Sequence, residues 1–159
     1  MCQMIGWAIF SITDCQMDIV SPEVRSEMMS GIKGKDTSPE LKVRSFLHAN
    51  GFRFRLHRKD LPGKPDIVLP KYKACVFVHG CFWHRHKGCK LASEPKSREE
   101  FWNKKFSENV ARDQRNIKAL KMAGWRVAIL WECGLRKELS LKTLVLWLHD
   151  RRKSLLWPG

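Results

Sequence analysis

Between Pro62 and Cys89 the chain reads PGKPDIVLPKYKACVFVHGCFWHRHKGC, which sets one carboxylate, Asp66, among three histidines and three cysteines. Two kinds of chemistry are open to such a set. Imidazole titrates near neutral pH and can take or give a proton, which makes His79 and His84 candidates for acid and base work. Thiolates with imidazole hold a borderline-soft ion instead. Cys81, His86 and Cys89 have the short spacings from which a loop folds three ligands around one tetrahedral ion. A structural zinc site takes four, and Cys133, in LWEC at the end of an apolar run, is the well-placed fourth. Cys75 lies inside another apolar run and reads as a small core residue. A redox pair is the competing use of these thiols, and a turn after Gly63 and Pro65 is the competing use of Asp66.

The flanking sequence predicts the elements that must hold these groups. Ser21-Pro22 starts a short helix carrying Val24, Met28 and Ile32, ended by Gly31 and Gly34. Thr37 to Glu40 has the spacing of a capping box with Pro39 in the first turn, and the helix beyond it carries Leu41, Val43, Phe46 and Leu47 as far as Asn50-Gly51. Phe52 to Leu56 alternates with period two, Ile67 to Leu69 is short and β-branched, and Cys75 to His79 is apolar, so three strands in a meander are expected. From Arg98 to Ala123 there is no Pro or Gly, which predicts a long basic helix ended by Gly124. Trp125 to Trp131 reads as a buried strand and Leu141 to Arg152 as a final amphipathic helix. The order is αα-βββ-α-β-α, without repeats or linkers.

Composition narrows the partners. Thirty Lys and Arg against sixteen Asp and Glu give a net charge of +14, a surface that attracts polyanions. A hydrophobic fraction of 43% and seven tryptophans argue against disorder, and 159 residues suit one domain. The apolar start MCQMIGWAIFSITDC lacks the basic beginning and cleavage site of a signal peptide and is too short to span a bilayer. A cytoplasmic protein is expected. Residues 1–16 read as a non-essential extension before a start at Met17, and 17–159 as the single working domain.

Pro65-Asp66 at the head of a strand, with an apolar strand about a dozen residues on, resembles the PD-(D/E)xK nucleases. Where those enzymes carry acid-x-Lys, this chain has Phe77-Val78-His79, so the second acid is absent and the lysine is a histidine. With REEFWNKKFSENVARDQRN and GWRVAILWEC added, the chain from about Met17 to Arg136 resembles the very-short-patch repair endonucleases, the Vsr family of T:G mismatch nicking enzymes. One departure is visible. His86-Lys-Gly-Cys89 is one residue longer than the family's His-x-Cys, a detour that Gly88 makes sterically easy.

The resemblance implies an α/β, restriction-endonuclease-like fold, a central mixed sheet flanked by helices with a structural zinc site on Cys81, His86, Cys89 and Cys133. It implies nicking of one strand 5′ of the mismatched T by magnesium-dependent hydrolysis, with Asp66 and the Val78 backbone carbonyl holding Mg2+. His84 would be the base, His79 would support the transition state, and Glu40 would match a helix-borne acid that contacts water, although it also reads as a cap residue. Phe82, Trp83 and Trp102 would form a wedge inserted beside the mispair, whereas core packing is the ordinary fate of Trp and is the reading for Trp125 and Trp131. Asn109 and Asp113, four apart on one helical face, would lie near the recognition surface, contacting bases or ordering the helix. The expected partner is double-stranded DNA with a T:G mismatch, then mismatch-repair proteins and a DNA polymerase downstream. A monomer is expected, since no interface signal is evident. A zinc-stabilised DNA-binding module that has lost catalysis is the alternative from another class.

Overall fold

The computed structural model describes residues 34–136, 139–150 and 152–158, together with Ser21, Val24, Glu27 and Gly31. The chain divides into Met1–Ile32 and Lys33–Gly159, and the sheet with its helices belongs to the second unit. The reading of residues 1–16 as an extension lies outside the described residues, as does most of the helix expected after Ser21. Of that helix, Val24 and Glu27 are helical.

Helix α1 (Ser38–Ala49) begins where the Thr37–Glu40 signal places it, with Pro39 in its first turn. The cap itself is not the reciprocal box the spacing suggests. Thr37 Oγ1 donates to Glu40 Oε1 at 2.9 Å, and the backbone N–H that Glu40 accepts belongs to Asp36, at 3.0 Å. The strands are β1 (Arg55–Leu56), β2 (Ile67–Leu69) and β3 (Ala74–His79), with a 3-10 turn at Pro70–Tyr72 between the last two. β1 is two residues where five were expected, because it pairs only with Ile67 and Val68. Helix α2 (Glu99–Met122) crosses to β4 (Arg126–Trp131), followed by one turn of α3 (Glu132–Leu135), by α4 (Leu139–His149) and by β5 (Ser154–Trp157).

The sheet runs β1-β2-β3-β4-β5, its first two pairings antiparallel and its last two parallel. Strand β5 escaped the sequence reading, because four residues closed by Trp157-Pro158 carry no alternation to separate them from a loop. Period two then explains why β3 is apolar throughout. Ala74 and Val76 face a core with Val43 and Leu47 of α1 and Leu144 and Trp147 of α4, whereas Cys75 and Phe77 face Leu120 of α2. Both faces are covered. Fully burying one such aliphatic side chain stabilises by roughly 1.5–3 kcal/mol, and Cys75 is a core residue as expected.

Candidate functional site

The same alternation carries His79 to the α2 side of the sheet, in step with Cys75 and Phe77. On α2, Phe106, Asn109, Asp113, Ile117 and Leu120 recur at spacings of three and four, so Asp113 lies on the stripe that turns inward. Between them comes the loop after β3. Its His84 stacks on His79 with ring centroids 3.9 Å apart and planes at 7°, and His84 Nδ1 lies 2.5 Å from Asp113 Oδ2. Burial would raise the Asp113 carboxyl, but the hydrogen bond and charge of His84 hold it below its ordinary value. An ionised acceptor takes its hydrogen bond from His84 Nδ1–H, which leaves Nε2 as the nitrogen that can exchange a proton. His79 is 6% exposed, and burial first, then the charge of His84, push it down to about 3. It stays neutral at physiological pH.

Asp66 Oδ2 accepts a hydrogen bond from the Val78 N–H at 2.8 Å, one residue from His79. In a strand the N–H and C=O of one residue point to the same edge, so the Val78 carbonyl shares that edge with Asp66. Burial lifts Asp66 to about 6 against the pull of that hydrogen bond, and Glu40 adds a like charge. Glu40 is 4% exposed, and Asp36 N–H, the Thr37 hydroxyl and Arg44 Nη2 donate to its two oxygens. Sequence reasoning missed Arg44, which no motif marks. Asn109, also buried, donates to the Trp83 carbonyl at 3.3 Å and accepts from Arg112 at 2.9 Å. Both Asn109 and Asp113 therefore brace the loop from the helix.

Cys81, His86, Cys89 and Cys133 bring four ligand atoms within 4.8 Å of one another, the set expected from sequence. His86 Nδ1 is 3.3 Å from Cys133 Sγ and 3.7 Å from Cys81 Sγ, where a tetrahedral zinc would place S and N about 3.6 Å apart. The loop winds through Cys81 O to His86 N–H and His86 O to Cys89 N–H bonds, and Gly88 takes the extra residue at φ +71°. Burial pushes the Cys81 thiol up to about 12. The His86 ring also bonds the Pro158 carbonyl, so the C-terminal segment orients one member of this cluster. Trp131 does not go to the core. Its ring stacks on His86 at 4.2 Å and meets the edge of His79 at 5.3 Å, because β4 ends beside β3 with Trp131 opposite His79.

Phe82, Trp83 and Trp102 form one aromatic cluster, with centroid separations of 5.2 Å, 5.6 Å and 6.0 Å. All three are partly exposed, and Phe82 and Trp102 rest on buried Phe106. Trp125, assigned to the core, packs partly buried against the Leu120 cluster. Lys104, Lys105, Arg112, Arg115, Lys118 and Lys121 stand on the exposed side of α2. No helix among the described residues is long and apolar enough to cross a membrane.

Comparison with known proteins points the same way. The family model described as DNA mismatch endonuclease Vsr matches residues 17–91. The type II nicking enzyme V.XorIIP of Xanthomonas oryzae pv. oryzae is 55% identical over 118 residues, 74% of this chain and 86% of the relative. The DNA mismatch endonuclease Vsr of Escherichia coli K12 is 44% identical over 119 residues, covering 75% and 76%. The type II nicking enzyme V.NmeAIP of Neisseria meningitidis serogroup A is 46% identical over 121 residues, covering 76% and 86%. Likeness of that degree over three quarters of the sequence, with the Asp66, His79 and His84 site inside it, places the chain in the Vsr family of DNA mismatch endonucleases.

Proposed function

We propose that the protein is a strand-specific mismatch nickase. It would hydrolyse one phosphodiester of duplex DNA 5′ of the mismatched T in a T:G pair, the product of 5-methylcytosine deamination, and so initiate very short patch repair. The observation that carries this reading is the meeting, at one end of β3, of a carboxylate clamped to Val78 and the His79–His84–Asp113 array. On this reading the mixed sheet with helices on both faces is restriction-endonuclease-like.

Asp66 and the Val78 carbonyl would hold Mg2+. Their fit rests on donor chemistry: an all-oxygen pair suits a hard cation, and a carboxyl raised chiefly by burial is one whose ionised form a bound cation would favour. Bound there, magnesium offsets the charge that builds on the phosphate during hydrolysis. His84 takes the proton of the attacking water at Nε2 while Asp113 holds the ring. Neutral His79 donates a hydrogen bond toward the phosphate oxygens. Glu40 orders a water beside Asp66. Cys81, His86, Cys89 and Cys133 would hold Zn2+, and with all four positions supplied by protein that ion is structural. Phe82, Trp83 and Trp102 would wedge beside the mispair, and the basic side of α2 would follow the phosphates. The nicked strand is then a substrate for a polymerase, with mismatch-repair proteins as further partners. The protein would act as a monomer in the cytoplasm.

Nicking assays on a panel of duplexes with each mismatch, in magnesium, test this. The expected outcome is one cut, in the T strand of T:G. Binding without cleavage would favour the catalytically inactive DNA-binding module, and cleavage of both strands of paired DNA would favour a restriction enzyme.

A further inference from the structure

Asp36, Glu40 and His57 bring three ligand-type atoms within 4.8 Å of one another, the spacing of a cation site. A cation belonging to the chain already lies among them. Arg44 Nη1 is 2.5 Å from Asp36 Oδ1, and Nη2 is 2.7 Å from Glu40 Oε2 and 3.2 Å from His57 Nε2. Helix stability does not account for this guanidinium. An exposed pair four residues apart would serve a helix as well, whereas Arg44 is 8% exposed and its Nε is buried without a hydrogen-bond partner among the described residues. A buried ion pair is a poor stabiliser once desolvation is counted, and an unsatisfied buried donor makes it poorer. His57 approaches from a left-handed backbone, φ +46°, and Asp36 from another at φ +57°.

What the arrangement achieves is a Glu40 carboxylate with no freedom. Its oxygens accept from the Thr37 hydroxyl, the Asp36 N–H and Arg44, and the Glu40, His57 and Arg44 charges all act on Asp66. We propose that Arg44 is a positioning residue for the nick: its guanidinium stands where a metal ion would otherwise gather Asp36, Glu40 and His57, and fixes Glu40 beside Asp66. This rests on the reading of Asp66 as a magnesium anchor and of Glu40 as the acid that orders water next to it.

The test is single-turnover nicking of a T:G duplex across a magnesium titration. The variants are Glu40→Gln, Arg44→Met, Arg44→Lys and the double Glu40→Gln/Arg44→Met, each with a thermal melt and with DNA affinity measured in calcium. Glu40→Gln and Arg44→Met should each raise the half-saturating magnesium about tenfold, as loss of an outer-shell partner does. The double variant should be no worse than either single one, Arg44→Lys should recover part of the loss, and DNA affinity should hold. Multiplying effects, or an Arg44→Met that melts earlier with unchanged magnesium dependence, would overturn the positioning role. Normal nicking by Glu40→Gln would also overturn it while leaving the anchor intact, provided Asp66→Asn is inactive. An active Asp66→Asn would show instead that the underlying functional reading has failed.

Discussion

On the proposed mechanism, Asp66 sets function against stability within one side chain. Its folded pKa, raised by burial to about 6, exceeds the unfolded value of 3.8, so the native state binds more protons across that window and stability falls as pH rises through it. At neutral pH without divalent ions this costs the fold up to about 3 kcal/mol, and near pH 4 almost nothing. Asp66→Asn should therefore abolish nicking yet raise the apo melting temperature at pH 7, with the gain vanishing near pH 4. A melt series with and without magnesium checks it, since added magnesium should stabilise only the parent protein. His84 and Asp113 make a second pair of linked expectations. His84→Ala should slow single-turnover nicking by about 10²–10⁴-fold, the usual worth of a general base. Asp113→Asn should slow it by about 10²-fold with DNA affinity unchanged, because only the tautomer and ring orientation are lost; a rate within threefold of the parent would remove Asp113 from the mechanism. Of these residues Asp66, His79 and His84 were legible as residue types at telling spacings. The contacts of Asp113 were not, because a helical period shows which face a residue shares and not which loop comes to meet it. Arg44 was missed for a related reason: Asp36 and Glu40 precede it within one segment, but nothing in the spacing shows that His57 comes from beyond the helix to complete the cluster.

The loop after β3 is an element with little core of its own. Apart from His84, which packs on His79 and Asp113, its functional side chains join either the Cys/His cluster or the Phe82, Trp83 and Trp102 rings, so two different forces order it. Purified, reduced protein should contain about one zinc, and Cys133→Ser should release it and lower stability, because binding free energy in such a site is folding free energy. Metal analysis beside a thermal melt reads both, and zinc retained by Cys133→Ser would exclude it as the fourth ligand. The aromatic half is tested by Trp83→Ala and Trp102→Ala. Unstacking a base step costs on the order of a few kcal/mol, less at a mispair, so these variants should lose discrimination of T:G from paired DNA more than general affinity. If the rings serve packing alone, melting drops and binding weakens on all duplexes alike. The α2 boundaries followed from the absence of Pro and Gly, and β2 and β3 from β-branched runs. What sequence could not convey was Trp131, whose apolar run promised a core position and whose place at the strand end gave it to the two histidines instead.

For the whole molecule the dominant quantity is charge. A net +14 with six cations along the outer side of α2 predicts DNA affinity that drops steeply with salt, log K falling by about 0.9 per phosphate neutralised for each tenfold rise in salt. Asp66→Asn and His84→Ala should keep the parent slope in a binding titration from low to high salt. A changed slope would mean that the catalytic edge itself contributes to backbone contact. On the proposed reading, backbone binding would be spread over a helix and cutting confined to the end of a strand.

The face-to-face rings of His79 and His84 set a limit on how the site can run. With parallel planes and centroids 3.9 Å apart, two positive charges would repel across the stack, and because buried His79 stays neutral the pair would, on the proposed mechanism, hold only the one proton taken from water. Each nick would leave that store full. Until that proton departs to solvent, no further water could be activated at this site. Emptying the pair is then as much a step of turnover as letting go of the cut strand.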